Sequence, residues 1–143
     1  MITFVKLETV LPLRSIVLRD GKAPGECIFP GDEKDSTFHL DDMEKGEAVC
    51  VATFHLQAHP GFEGKAYQLR GMATSAATRG QGVGTRLLNF AIVYLRGLNA
   101  DYLWCNARQG AYSFYLSQGF EFISKEFEIP GIGPHREMYL KIR

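Results

Sequence analysis

Thr74-Ser75-Ala76-Ala77-Thr78-Arg79-Gly80-Gln81-Gly82-Val83-Gly84-Thr85-Arg86-Leu87-Leu88 joins two segments of different hydrophobic period. Before it, residues 67–74 read as a strand interrupted by Gly71, and a glycine inside a strand marks a bulge or a close backbone approach. After it, residues 84–98 read as a helix. Leu87, Leu88, Ala91, Ile92 and Leu95 form one apolar face, Phe90, Val93 and Tyr94 widen it, and Arg86, Asn89 and Arg96 lie off it. Between the two, Gly80, Gly82 and Gly84 alternate, so the backbone can curl tightly with no side chains in the way. The N–H groups of such a turn point inward as an anion-binding nest, and the helix adds the positive end of its dipole. A diphosphate suits that cradle, with Arg79 and Arg86 adding charge. The same glycines are compatible with a plain linker from strand to helix. A P-loop would continue as Gly-Lys-Ser/Thr, which is missing. A dinucleotide fingerprint would need glycine where Thr85 stands.

Outward from this stretch, the pattern predicts a first strand over 2–7 and a helix over 11–19 with Leu13, Ile16 and Val17 on one face. Residues 20–35, rich in Gly, Pro and charge, read as a surface loop near a site. Strands are expected over 36–40 and 47–57. The continuous apolar run Ala48-Val49-Cys50-Val51-Ala52 marks the second as covered on both faces. A short buried strand over 102–106, a short helix over 110–117 stopped by Gly119, and strands over 120–129 and 136–142 complete the chain. The expected fold is α/β. It is a central, mostly antiparallel sheet of about six to seven strands with one parallel β-α-β crossover at the cofactor site and helices on both faces. Residues 1–143 are expected to form a single domain.

Sixteen basic and sixteen acidic residues give a formal net charge of zero, which argues against a nucleic-acid or anionic-membrane binder. The start of the chain carries no signal-peptide pattern, and no apolar stretch approaches a membrane span. Cys27, Cys50 and Cys105 are odd in number and scattered, suggesting neither disulfides nor a zinc site. A cytoplasmic protein with buried Cys50 and Cys105 is expected, and with Cys27 open to exposure from its loop.

The turn Arg79, Gly82, Gly84 resembles the phosphate-binding motif of the GNAT superfamily of acyl-CoA-dependent N-acyltransferases. A second block supports the resemblance. Ala111-Tyr112-Ser113-Phe114-Tyr115-Leu116-Ser117-Gln118-Gly119-Phe120 has the family's alanine, tyrosine four residues on, and Gly-Phe shortly after. The separation of the blocks and the order of elements match over nearly the whole chain. Departures are Thr74 and Ala76, where the family often has apolar residues and proline, and Ala107-Arg108-Gln109 ahead of Ala111.

The resemblance implies that this chain moves an acyl group, acetyl above all, from acetyl-CoA to a primary amine by direct attack in a ternary complex. Met72, Ala73 and Thr74 would offer backbone groups to the pantetheine arm of coenzyme A. The amides of Gln81, Gly82, Val83, Gly84 and Thr85, with Arg79 and Gly80, would hold the pyrophosphate. Asn106 would contact the cofactor arm, and Tyr115 would protonate the leaving thiolate. A phenol, with its ordinary pKa of about 10, is a reasonable acid for that task. His135, after a Pro-rich turn, is a candidate base or acceptor contact, and equally a hydrogen-bonded strand residue. His39 and His55 lie on strands whose pocket-facing side alternation cannot decide. Glu26, Asp32 and Glu33 would suit a cationic acceptor, and Arg14 and Arg19 an acidic one, so the charge of the acceptor stays open. That acceptor is a small molecule or a peptide amine. A homodimer through exposed strands is an assembly the resemblance allows. An acyl-CoA-binding regulatory module without turnover is the competing reading.

Overall fold

The computed structural model describes residues Met1–Arg143. Eight strands form one sheet: β1 (Ile2–Val5), β2 (Phe38–Glu44), β3 (Glu47–Leu56), β4 (Ala66–Thr74), β5 (Tyr102–Arg108), β6 (Glu121–Phe122), β7 (Phe127–Ile129) and β8 (Gly133–Lys141). Three α-helices accompany them: α1 (Leu7–Leu18), α2 (Val83–Gly97) and α3 (Tyr112–Ser117). The order across the sheet is β1-β2-β3-β4-β5-β8-β6, with β7 also paired to β8. Every pairing is antiparallel except β4 with β5, the parallel pair that α2 bridges. No helix is long and apolar enough to cross a membrane.

Alternation along β3 explains why both faces are covered. Cys50, Ala52 and Phe54 enter the large core with Leu87, Leu88, Ala91 and Leu95 of α2. Val51 faces the other way, into a smaller core with Val10 and Leu11 of α1. With apolar side chains on both faces, the strand reads as an unbroken run. Gly71 is a bulge: the register of β3 against β4 shifts between Val51 and Thr53. At φ +62° and with a would-be Cβ only 2.7 Å from Arg14 Nε, this position excludes side chains.

The structure departs from the sequence reading in four places. The expected strand over 120–129 is two short ones. Between them the Ser124 hydroxyl accepts the Glu137 N–H at 2.8 Å, replacing the ladder and letting the chain leave the sheet. Helix α1 begins four residues earlier than expected, placing Pro12 inside it, and Ile16 points to solvent. Cys27 is fully buried, as are Cys50 and Cys105. Strand β2 runs from Phe38 to Glu44, past the expected 36–40, whereas the segment from residue 20 to 35 lies mostly on the surface as expected and is pinned to the core at Cys27 and Asp32.

The pin is Arg14, completely buried at the centre of α1's inner face where an aliphatic residue would be expected. Its guanidinium donates to Asp32 at 2.6 Å, the Cys27 carbonyl at 2.8 Å and Thr53 Oγ1 at 2.7 Å. Asp32 also accepts from His55 Nε2 at 2.8 Å and the Phe29 N–H at 2.7 Å. Burial alone would raise the Asp32 carboxyl, but the hydrogen bonds from His55, Arg14 and Phe29 outweigh it and hold the group at about 2. His39 completes the network. Its Nε2–H donates to the Asp32 carbonyl at 3.2 Å, leaving Nδ1 to accept the Thr53 hydroxyl at 2.7 Å. Burial lowers its pKa and keeps the ring neutral.

Removing one partner of a buried ion pair costs about 3–5 kcal/mol. Asp32→Asn should therefore lower the melting temperature by roughly 10 °C, measurable by calorimetry. Because the folded carboxyl lies below its ordinary value of about 4, the wild-type stabilisation is complete above that pH. It is lost as pH falls toward about 2. Asp32→Asn should flatten that acid limb.

Candidate active site

Strands β4 and β5 hydrogen-bond at only three pairs, Ala66–Tyr102, Tyr67–Leu103 and Gln68–Trp104. Beyond them the strands part, and the β5-facing edge of β4 from Leu69 to Thr74 has no strand partner. The gap opens into two cavities that share part of their walls.

The larger, of about 880 Å³, runs along the start of α2 and is walled by Met72, Thr74, Arg79, Gly80, Gly82, Val83, Gly84, Thr85 and Tyr115. Gly82 caps α2 at φ +79°, and Gly80 has the same positive φ. The first helical hydrogen bond is from the Arg86 N–H to the Gly82 carbonyl, so the N–H groups of Val83, Gly84 and Thr85 have no partner within the helix. Three free donors at the positive end of a helix, with Arg79 on the wall, fit an anion such as a diphosphate.

Among the other expected cofactor contacts, Ala73 keeps its backbone at the gap, while Gln81 and Arg86 are turned away from this wall. Gln81 donates its N–H to the Thr78 carbonyl at 3.3 Å and lies off this wall. The Ala73 side chain packs into the α1-side core, leaving only its backbone to face a ligand. Arg86 pairs with Glu44 at 3.4 Å and Asp42 at 3.7 Å, so its charge is held on the outer surface.

The smaller cavity, of about 240 Å³, lies on the α1 side and is lined by Arg19, Phe29, Gln68, Arg70, Asn106, Arg108 and His135 among others. Asn106 therefore belongs here, away from the α2 cradle. His135 is buried, and its Nδ1–H donates to the Gly133 carbonyl at 2.8 Å. In the neutral ring the lone pair is then on Nε2. His39, His55 and Asp32 do not line the cavity. They stand behind it in the network around Arg14, while Glu26 and Glu33 are exposed on the surface.

Leu18, Met72, Arg108, Ala111, Tyr115 and Ile132 belong to both walls, so the cavities meet around Met72 and Tyr115. The Tyr115 hydroxyl donates to Met72 Sδ at 3.8 Å. Burial holds the phenol well above its ordinary pKa, so it is a proton carrier at neutral pH.

Gln68, Arg70 and Phe29 were not singled out in the sequence. The signal for the first two was available. Tyr67 and Leu69 are core residues, so Gln68 and Arg70, alternating with them, make a polar stripe on the opposite face of a central strand. Phe29 carries no such signal, because only tertiary folding brings it to the cavity.

The match to the Acetyltransferase (GNAT) family model spans residues 15–120. The chain is 33% identical over 140 residues to the uncharacterized N-acetyltransferase YitI of Bacillus subtilis (strain 168), covering 97% of this chain and 94% of that protein. Its fold superimposes on an aminoglycoside 6'-N-acetyltransferase complexed with coenzyme A, with a TM-score of 0.79 at 12% identity, over 100% of this chain and 97% of the other. It also superimposes on Escherichia coli ElaA, with a TM-score of 0.76 at 22% identity, over 97% and 99% of the two chains.

Cys105 lines the smaller cavity but is buried there, as Cys27 and Cys50 are elsewhere. Burial pushes the Cys50 thiol up to about 11 and raises Cys105 further. The native protein should therefore release no colour with Ellman's reagent over minutes, and three thiols should appear after denaturation. A rapidly reacting native thiol would contradict this burial.

Proposed function

The chain belongs to the GNAT acetyltransferase family and is an acyl-CoA-dependent acetyltransferase, and from that premise we propose that it acetylates a primary amine by direct transfer within a ternary complex. The observation that carries this reading is the meeting of the two cavities at Met72 and Tyr115, between an anion cradle on one side and a histidine-bearing pocket on the other. Acetyl-CoA bound in the larger cleft would supply an activated acyl group as a thioester. The N–H groups of Val83, Gly84 and Thr85, with Arg79, would hold its diphosphate. The unpaired edge of β4 would hydrogen-bond its amide arm as an added strand does.

The chain's own groups then divide the chemistry. N–H groups on the free edge of β4 are donors for charge developing on the thioester oxygen. Tyr115 keeps its proton at Oη and delivers it to the departing thiolate. Nε2 of His135, directly or through water, accepts a proton from the incoming ammonium, which must be neutral to attack. Holding both substrates across one narrow waist supplies much of the remaining rate. Three buried free cysteines suit a cytoplasmic enzyme.

Thiol release from acetyl-CoA should require an amine. Tyr115→Phe should lower kcat by about 10²–10⁴ while leaving acetyl-CoA affinity unchanged; an unaltered kcat would remove Tyr115 from the acid role. Gly82→Ala, strained at positive φ, should weaken acetyl-CoA binding about tenfold or more, read by calorimetric titration. Acetyl-CoA binding with no turnover on any amine would favour a regulatory module instead.

A further inference from the structure

Charge on the wall of the smaller cavity is one-sided. Arg19, Arg70 and Arg108 line it, and no aspartate or glutamate does. Two carboxylates on neighbouring elements are already engaged: Asp32 with Arg14 and His55, and Glu137 with His59 at 3.0 Å. None of the three arginines has an ion-pair partner. Arg19 Nε is buried without any hydrogen bond. The Arg70 guanidinium is half-buried and stacked 4.3 Å over the Phe29 ring, which Arg14 also stacks at 4.2 Å. Stacking fixes the plane of the Arg70 fork while leaving its N–H groups unclaimed. Burial lowers the Arg70 pKa, and Asp32 and Arg14 act on it with opposite signs. Such a set of cations, partly removed from water, is unfavourable unless an anion joins it.

We propose that the amine acceptor carries a carboxylate, gripped by the Arg70 fork with Arg19 beside it on the α1 side of the cleft. The claim rests on the acetyltransferase reading of the same site. A planar carboxylate matches a guanidinium in two parallel hydrogen bonds. A cavity of about 240 Å³ has room for a small amino-acid-like group. The carboxylate sits on the arginines, and the amine projects toward His135 and the waist at Tyr115.

The test compares matched acceptors: lysine with cadaverine, γ-aminobutyrate with butylamine, and phosphoethanolamine with ethanolamine. At least one carboxylated amine should exceed its uncharged or cationic counterpart by about a hundredfold in kcat/KM. Arg70→Gln should raise KM for that acceptor at least tenfold, bring the ratio close to one and leave acetyl-CoA affinity intact. Retained acetyl-CoA binding also shows that the variant folds, and Arg70→Lys should restore only part of the preference. Preference for cadaverine or butylamine would overturn the proposal, and a preference confined to phosphoethanolamine would replace carboxylate by phosphate and overturn it equally. A second reading separates the two levels. With coenzyme A saturating, carboxylates such as glutarate should raise the melting temperature of the wild type but not of Arg70→Gln. Carboxylate binding without acetylation would sink the acetyltransferase reading and leave the anion site standing; acetylation without carboxylate binding would do the reverse.

Discussion

Everything at the site depends on the early parting of β4 and β5. Three residue pairs hold the two parallel strands together before they separate. Had the ladder continued, the edge of β4 from Leu69 to Thr74 would be satisfied, and the two faces of the sheet would be sealed from each other. Because it stops, backbone donors and acceptors lie unpaired beside a gap, and unpaired backbone in a half-buried place calls for a partner. The bulge at Gly71 helps maintain the gap. It bends β4 where Arg14 presses against it, in a position no side chain could occupy.

Arg14 and Asp32 give the α1 side its shape. Their ion pair ties the segment after α1 to β3 and presents Phe29 to the cavity. A well-packed apolar pair would serve stability as well. The charged pair does something an apolar one would not. It places a platform for Arg70 at the wall while consuming the one carboxylate that would otherwise neutralise it. The α2 side is built differently, from backbone alone. There free N–H groups stand at a helix start, and glycines at positive φ keep the space before them clear. One half of the cleft therefore presents positive potential from main chain and the other from side chains.

The main-chain half was the legible half. Alternating glycines before a strong helical period locate the cradle without any tertiary information, and the apolar run of β3 announces a strand covered on both faces. The tyrosine of α3 could be placed only because its spacing resembled a known pattern; its burial beside Met72 is a tertiary fact. The side-chain half was hidden for physical reasons. A buried arginine reads as a surface residue until its carboxylate is located eighteen positions away. Phe29 and Arg70, forty-one residues apart, meet only after folding. The split between β6 and β7 follows from a single serine hydroxyl taking a backbone N–H, which no hydrophobic period reveals.

The central claim is that the unpaired edge of β4 and the first turn of α2 form one binding surface for acetyl-CoA. Titrating acetyl-CoA into isotope-labelled protein and following backbone amide resonances tests it most directly. The account predicts saturable shifts at Leu69 to Thr74 and at Val83, Gly84 and Thr85, with β1 and β2 undisturbed. Saturable binding that left those amides unmoved, or that moved only residues distant from the parting of β4 and β5, would contradict it.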